Sequence, residues 1–76
     1  PTVFKENINL YNQGNTSREV KFTLYNSNGQ LVRLEEVTLA HHEFVTMSGF
    51  SMLTSGAYFY QLLIDDEVYT GTLIKQ

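Results

Sequence analysis

The chain has 76 residues, a single proline, no cysteine and no tryptophan, with 42% hydrophobic and 17% charged residues. Eight acids against five bases give a net charge of −3. The bases Lys5, Arg18, Lys21, Arg33 and Lys75 are scattered, so the basic footprint that a nucleic-acid backbone demands is missing. The hydrophobic content excludes a disordered tail, the cysteine count excludes disulfides and cysteine metal sites, and no apolar run approaches the ~20 residues of a bilayer span.

That length makes one domain, residues 1–76, which buries roughly 60% of the surface its unfolded chain exposes. Its core must be dense, or it must lean on a neighbour. The absence of cysteine fits a reducing or an oxidising compartment alike. No signal peptide opens the chain, and Pro1 in place of Met reads as a piece excised from a larger secreted protein.

Periodicity is two almost throughout, the mark of half-buried strands. Residues 2–5 read as a short edge strand. Ile8 and Leu10 then alternate with Asn9 and Tyr11. After a polar turn, residues 12–18, Val20, Phe22 and Leu24 alternate with Lys21, Thr23 and Tyr25. Asn26-Ser27-Asn28-Gly29 follows as a hairpin turn, because Asn and Gly tolerate positive φ. Residues 30–37 make the return strand, with Val32 and Leu34 as its inward pair, and residues 39–42 read as a connection.

Residues 43–48 form a further strand, and residues 49–56 a loop in which Phe50 and Leu53 plug the edge of the sandwich. Residues 57–64 are the most apolar strand. Continuous apolar runs mark strands packed on both sides; the competing reading is an exposed aromatic patch offered to a partner or a sugar. Asp65-Asp66 turns the chain, and residues 67–75 return. The predicted fold is all-β, an immunoglobulin-like antiparallel β-sandwich of about seven strands, with no helix.

Candidate chemistry is sparse. His41 and His42 are adjacent, so in an extended chain they point to opposite faces and cannot share one ion. Asp65-Asp66-Glu67 lacks the ladder of oxygens that calcium needs and reads as a solvated turn. Ser48, His42 and Asp65 make a triad only on paper, with no nucleophile elbow and no oxyanion loop. Asn15-Thr16-Ser17 matches a glycosylation acceptor, which turn composition alone explains. No catalytic residue, metal ligand or cofactor site is predicted, and the chain is not expected to be an enzyme.

Leu24-Tyr25-Asn26-Ser27-Asn28-Gly29-Gln30-Leu31-Val32 resembles the L-Y-N-x-x-G-Q-x-V segment of type A C-terminal sorting domains, the secretion signals of the type IX secretion system of certain Gram-negative bacteria. Leu53-Thr54-Ser55-Gly56-Ala57-Tyr58-Phe59-Tyr60 is similar to that family's L-x-S-G-x-Y-F-Y segment. Gly71-Thr72-Leu73-Ile74-Lys75-Gln76 resembles its closing basic strand, and Pro1 and Phe4 match parts of its opening P-N-P-F, with Thr2 and Val3 between them. The resemblance spans essentially the whole chain.

It implies a route. An attached cargo crosses the periplasm, the secretion machinery recognises the folded domain, and the cargo moves across the outer membrane to the cell surface or the medium. A sortase-like cysteine peptidase then removes the domain. On strand-edge physics, a terminal edge strand offers unpaired N–H and C=O groups to a receptor, and Lys75 blunts stray pairing. Tyr69, Leu73, Ile74, Lys75 and Gln76 are therefore the partner-recognition candidates. Tyr25, Gly29, Val32, Leu53, Gly56 and Tyr58 are the structural positions, the glycines because their turns strain a β-carbon. Self-association through exposed edges is the further partner expectation. The alternatives are a carbohydrate-binding or adhesive module, which needs a row of exposed aromatics, and a structural immunoglobulin-like spacer.

Overall fold

A computed structural model describes residues 2–76 and contains seven strands: β1 (Thr2–Phe4), β2 (Ile8–Tyr11), β3 (Arg18–Tyr25), β4 (Leu31–Leu39), β5 (Phe44–Met47), β6 (Gly56–Ile64) and β7 (Glu67–Lys75). No described residue is helical. Five strands form one sheet in the order β1-β7-β6-β3-β4, and β2 pairs with β5 in a second. The two open sheets make a β-sandwich, consistent with an immunoglobulin-like fold. Pairing is antiparallel except between β1 and β7, which run parallel with Thr2 beside Leu73 and Phe4 beside Lys75.

Alternation along each strand builds the core. Val20, Phe22 and Leu24 of β3 are buried, and their partners on β6 are Ile64, Leu62 and Tyr60. Phe22 and Leu24 join Phe4, Met47, Phe50, Tyr58 and Leu73 in one core cluster, with Ile8, Leu10, Val32, Leu53, Tyr60 and Leu62 packed against it. Phe4 contributes two edge-on aromatic contacts, at 5.8 Å to Phe50 and 6.1 Å to Tyr58. Emptying the fully buried Phe22 position would cost about 3–5 kcal/mol.

Strand β4 departs from expectation in three ways. It extends to Leu39, which is buried rather than part of a connection. Between Leu24 and Tyr25 of β3 the register slips. Leu24 faces Arg33 while Tyr25 faces Leu31, so Val32 is the extra residue of a β-bulge. The bulge turns the following side chains over. Arg33, Glu35, Val37 and Leu39 lie opposite the inward positions of β3, and Leu34, expected inside, is 45% exposed.

The plug loop behaves as its composition predicts. Phe50 is almost fully buried, and Leu53 packs on the core. The second sheet has only two four-residue strands. Its Ile8, Leu10 and Met47 pack in or against the core cluster.

Candidate recognition site

The closing hairpin holds every partner-recognition candidate. Ile64 pairs with Glu67 across Asp65-Asp66, so the turn has two residues and this closing pair exchanges both of its ladder bonds. Counting along β7 from there, the odd positions turn their N–H and C=O toward β6. The even positions, Val68, Thr70, Thr72 and Ile74, turn theirs away. The same parity appears at the end of the strand, where the Gln76 N–H donates to the Phe4 carbonyl at 2.9 Å.

The expected free terminal edge is therefore displaced. β1 lies beside Leu73, Ile74 and Lys75, so the last residues of β7 are interior to the sheet. Among the described residues, Val68 and Thr70 have a strand on the β6 side only. β1 flanks the end of the strand, and its parallel register points its N-terminal direction back along the first half of β7.

Side chains divide the candidates further. Tyr69 is 48% exposed and Gln76 is exposed, while Ile74 is half-buried on the outer face of the sheet. Leu73 and Lys75 are buried on the inner face, each 7% exposed. The Lys75 ammonium donates to the Gln76 carbonyl at 2.8 Å. Lys75 is expected to guard a solvent edge; its strand is instead flanked by β1, and its side chain lies buried on the inner face.

The structural positions hold the scaffold behind this hairpin. Asn26 organises the β3–β4 turn. Its carbonyl accepts from Gly29 N–H at 2.9 Å, and its Oδ1 accepts from the N–H groups of Asn28 and Gln30 at 3.0 Å. Gly29 sits there at φ 81°, in the left-handed region. Tyr25 is half-buried at the end of β3. Tyr58 is buried, and its hydroxyl donates to the Thr54 carbonyl at 2.8 Å. That bond ties β6 to the loop carrying Leu53, with Gly56 at φ 140° between them.

Where the short second sheet ends, the inner face of the large sheet is left uncovered. A cleft of about 640 Å³ opens there, with Val20, Leu39, Leu62 and Ile64 among its lining residues. Arg18, Asp65, Asp66, Glu67, Tyr69 and Tyr11 also line it. Arg18 bonds Asp65 at 2.8 Å, and the hydrogen bond with its charge attraction raises the guanidinium further above its already high range. The Tyr69 hydroxyl donates to Glu67 at 2.7 Å. That bond, with the adjacent carboxylate charge, pushes the phenol above the ordinary tyrosine value.

Other candidates disperse. The rings of His41 and His42 stand edge to face at 5.4 Å, and no group of three metal-ligating side chains exists among the described residues. Tyr58 is buried, Tyr25 and Tyr60 are half-buried, and only Tyr11 and Tyr69 of the five tyrosines are exposed. Among the phenylalanines Phe59 and Phe44, the cross-strand partner of Tyr11, are exposed as well. Strand β6 combines both readings of its apolar run. It is central in the ladder with Tyr58, Tyr60 and Leu62 inward, while Phe59 on the outer face is 45% exposed.

Three positions escaped the sequence reading. Asn12 is buried and ties its loop to the end of β4. Arg33 lies inward on an edge strand, 4.6 Å over the Phe50 ring. Gly71 lies under Tyr60. Only Gly71 carried a signal, since a glycine inside a strand marks close approach of a neighbour.

The model of the family described as the secretion system C-terminal sorting domain matches residues 1–76, the whole chain. No curated protein and no solved structure matches it.

Proposed function

Since the chain belongs to the family of secretion system C-terminal sorting domains, we propose a way in which its closing hairpin is read. The domain is a C-terminal sorting signal of type IX secretion, and the family is not an enzyme family. Its cargo is a secreted or cell-surface protein that passes through the periplasm, and its partner is the secretion machinery.

In this reading the machinery contacts Tyr69, Ile74 and Gln76 directly. Leu73 and Lys75 act by holding β7 in place. The observation that supports this division is burial: Tyr69 and Gln76 are exposed, while Leu73 and Lys75 lie on the buried inner face of the sheet. A sortase-like cysteine peptidase then removes the domain.

The test is delivery. Residues 1–76 are fused to the C-terminal end of an exported reporter in a bacterium with a type IX system. Surface or medium reporter is expected with the domain and not without it. Tyr69→Ser and Gln76→Ala, which leave the core untouched, should each lower delivery. Undiminished delivery with both changed would sink the direct-contact reading. Peptidase removal is checked by the mass of the delivered reporter, which should lack the domain.

A further inference from the structure

The second sheet turns one face to the core and the other to solvent. Ile8, Leu10 and Met47 point inward. On the outer face two cross-strand pairs stand next to each other, Asn9 with Thr46 and Tyr11 with Phe44. The bond from Asn12 N–H to the Glu43 carbonyl, at 2.9 Å, sets the parity of this ladder. Both outward pairs are then of the non-hydrogen-bonded kind, in which opposing side chains approach most closely. This face belongs to the sheet that β1 does not join, and the register of β1 runs along β7 in the other sheet.

The face has an aromatic half and a polar half. Tyr11 is 53% and Phe44 63% exposed, so two rings lie side by side in water. Beside them the Thr46 hydroxyl donates to Asn9 Oδ1 at 2.7 Å. That bond fixes the amide and leaves the two donors of Nδ2 and the lone pairs of the Thr46 oxygen for a ligand. None of the four side chains is charged. The neighbouring acid in sequence, Glu43, is turned to its own connection, where it accepts from Ala40 N–H at 2.9 Å. Two four-residue strands, about 4.8 Å apart and rising about 3.4 Å per residue, offer a face of roughly 10 by 14 Å. A stable protein interface takes about 800 Å² from each partner. The face is too small for a second copy of the chain or a folded partner, and it matches one or two sugar rings.

We propose that Tyr11 and Phe44, with Asn9 and Thr46, form a binding subsite for an uncharged saccharide whose ring substituents are equatorial. Such a ring has a flat face of C–H groups and a perimeter of hydroxyls. Its C–H face, slightly positive, lies on the negative faces of the aromatic pair. Its hydroxyls bond to Asn9 Nδ2 and to the Thr46 oxygen. An anionic sugar finds no cation on this face, in a chain of net charge −3. With two rings and two polar groups the site is weak, a hold on a glycan rather than a deep pocket. The inference goes beyond the sorting reading and does not rest on it.

The probe is cellohexaose, an uncharged chain of β-linked glucose, against hexagalacturonate, which carries a carboxylate on every ring. Titrated at millimolar concentration into the 76-residue domain and followed by amide NMR, cellohexaose should shift residues 9–11 and 44–46. Hexagalacturonate should bind at least about tenfold more weakly, a factor of one decade in Kd. Tyr11→Ala and Phe44→Ala, both at exposed positions, should each keep the fold and lose at least about tenfold in affinity. Tyr11→Phe retains the ring and should retain binding. Should an alanine variant fail to fold, Asn9→Ala carries the test, with a loss of at least about threefold. No shift, equal binding of the two saccharides, or shifts centred outside the second sheet would each overturn the proposal. So would a concentration-dependent change at Tyr11 and Phe44 without sugar, the mark of a second copy on this face. In the reporter assay, folded Tyr11→Ala should deliver as well as the parent. Lost delivery would assign the face to the secretion machinery and overturn the saccharide reading.

Discussion

Gly71 lies directly beneath the ring of Tyr60, so a β-carbon at position 71 would sit 2.5 Å from Cε2 and Oη of that ring. Tyr60 in turn stacks on Phe22, with ring centroids 6.2 Å apart, so displacing its ring disturbs that contact. Gly71→Ala is therefore expected to destabilise the fold by about 1–3 kcal/mol, the cost of overpacking. In a Tyr60→Val background the clash is gone and the same change should cost little, or even stabilise, since glycine is disfavoured in a strand by about 0.5–1 kcal/mol. Urea unfolding of the four chains checks this. Equal costs in both backgrounds would show that the ring is not the obstacle.

Arg33 is held inward by three contacts: Glu35 at 2.8 Å, the Ser48 carbonyl at 2.7 Å and the face of Phe50. Replacing it by Val keeps an apolar stem and removes all three. A loss of about 1–2 kcal/mol is expected, from one cation–π contact and the hydrogen bonds, with Glu35 left alone. The same change makes the β4 edge apolar on its inner side, and self-association should appear. Sedimentation at rising concentration reads this. A variant that remains monomeric would show that the charges do not guard the edge.

The strand order in sequence, the β3–β4 turn and the plug of Phe50 and Leu53 were legible because each rests on local chemistry. Period-two alternation, Asn-Gly at a turn and apolar residues in a polar loop act within a few residues. What misled was pairing at a distance. Nothing local says that Thr2 lies beside Leu73, so the last strand looked like an edge and Lys75 like its guard. The bulge at Val32 was equally hidden, since one unpaired residue reverses every later side chain of β4 while leaving the alternation intact. The candidate site inherited both effects. That the candidate residues share the closing hairpin was readable, but which of them β1 flanks depends on a pairing between the two ends of the chain.

Asn12 gives the clearest stability prediction. Its Nδ2 donates to the carbonyls of Thr16, Leu39 and Ala40 at 2.9–3.1 Å, and its Oδ1 accepts from Gly14 N–H at 2.9 Å. Asn12→Ala leaves these groups without a partner, and a loss of about 2–3 kcal/mol is expected. Asn12→Asp keeps the size but aims a carboxylate at three carbonyls. Burial and those carbonyls favour the protonated acid, so its folded pKa lies above the unfolded one. Stability of that variant should therefore fall as pH rises past the ordinary aspartate value and recover on acidification. An Asp variant equal to the parent at neutral pH would contradict the donor role.

Tyr69 and Glu67 make a pH-dependent pair at the mouth of the cleft. The phenol donates to the carboxylate, so it holds its proton above the ordinary tyrosine value, through that bond and the adjacent charge. A raised folded pKa means that the pair favours the fold at neutral pH, where phenol is protonated in both states. The contribution fades as pH climbs past the ordinary value and is gone beyond the folded one. Difference absorbance between the parent and Tyr69→Phe isolates this residue. Its midpoint should lie above the ordinary tyrosine value, and Glu67→Gln should bring it down. Arg18 remains charged throughout, so its pairing with Asp65 persists across the titration. A Tyr69 midpoint unmoved by Glu67→Gln would mean that the bond does not persist in solution.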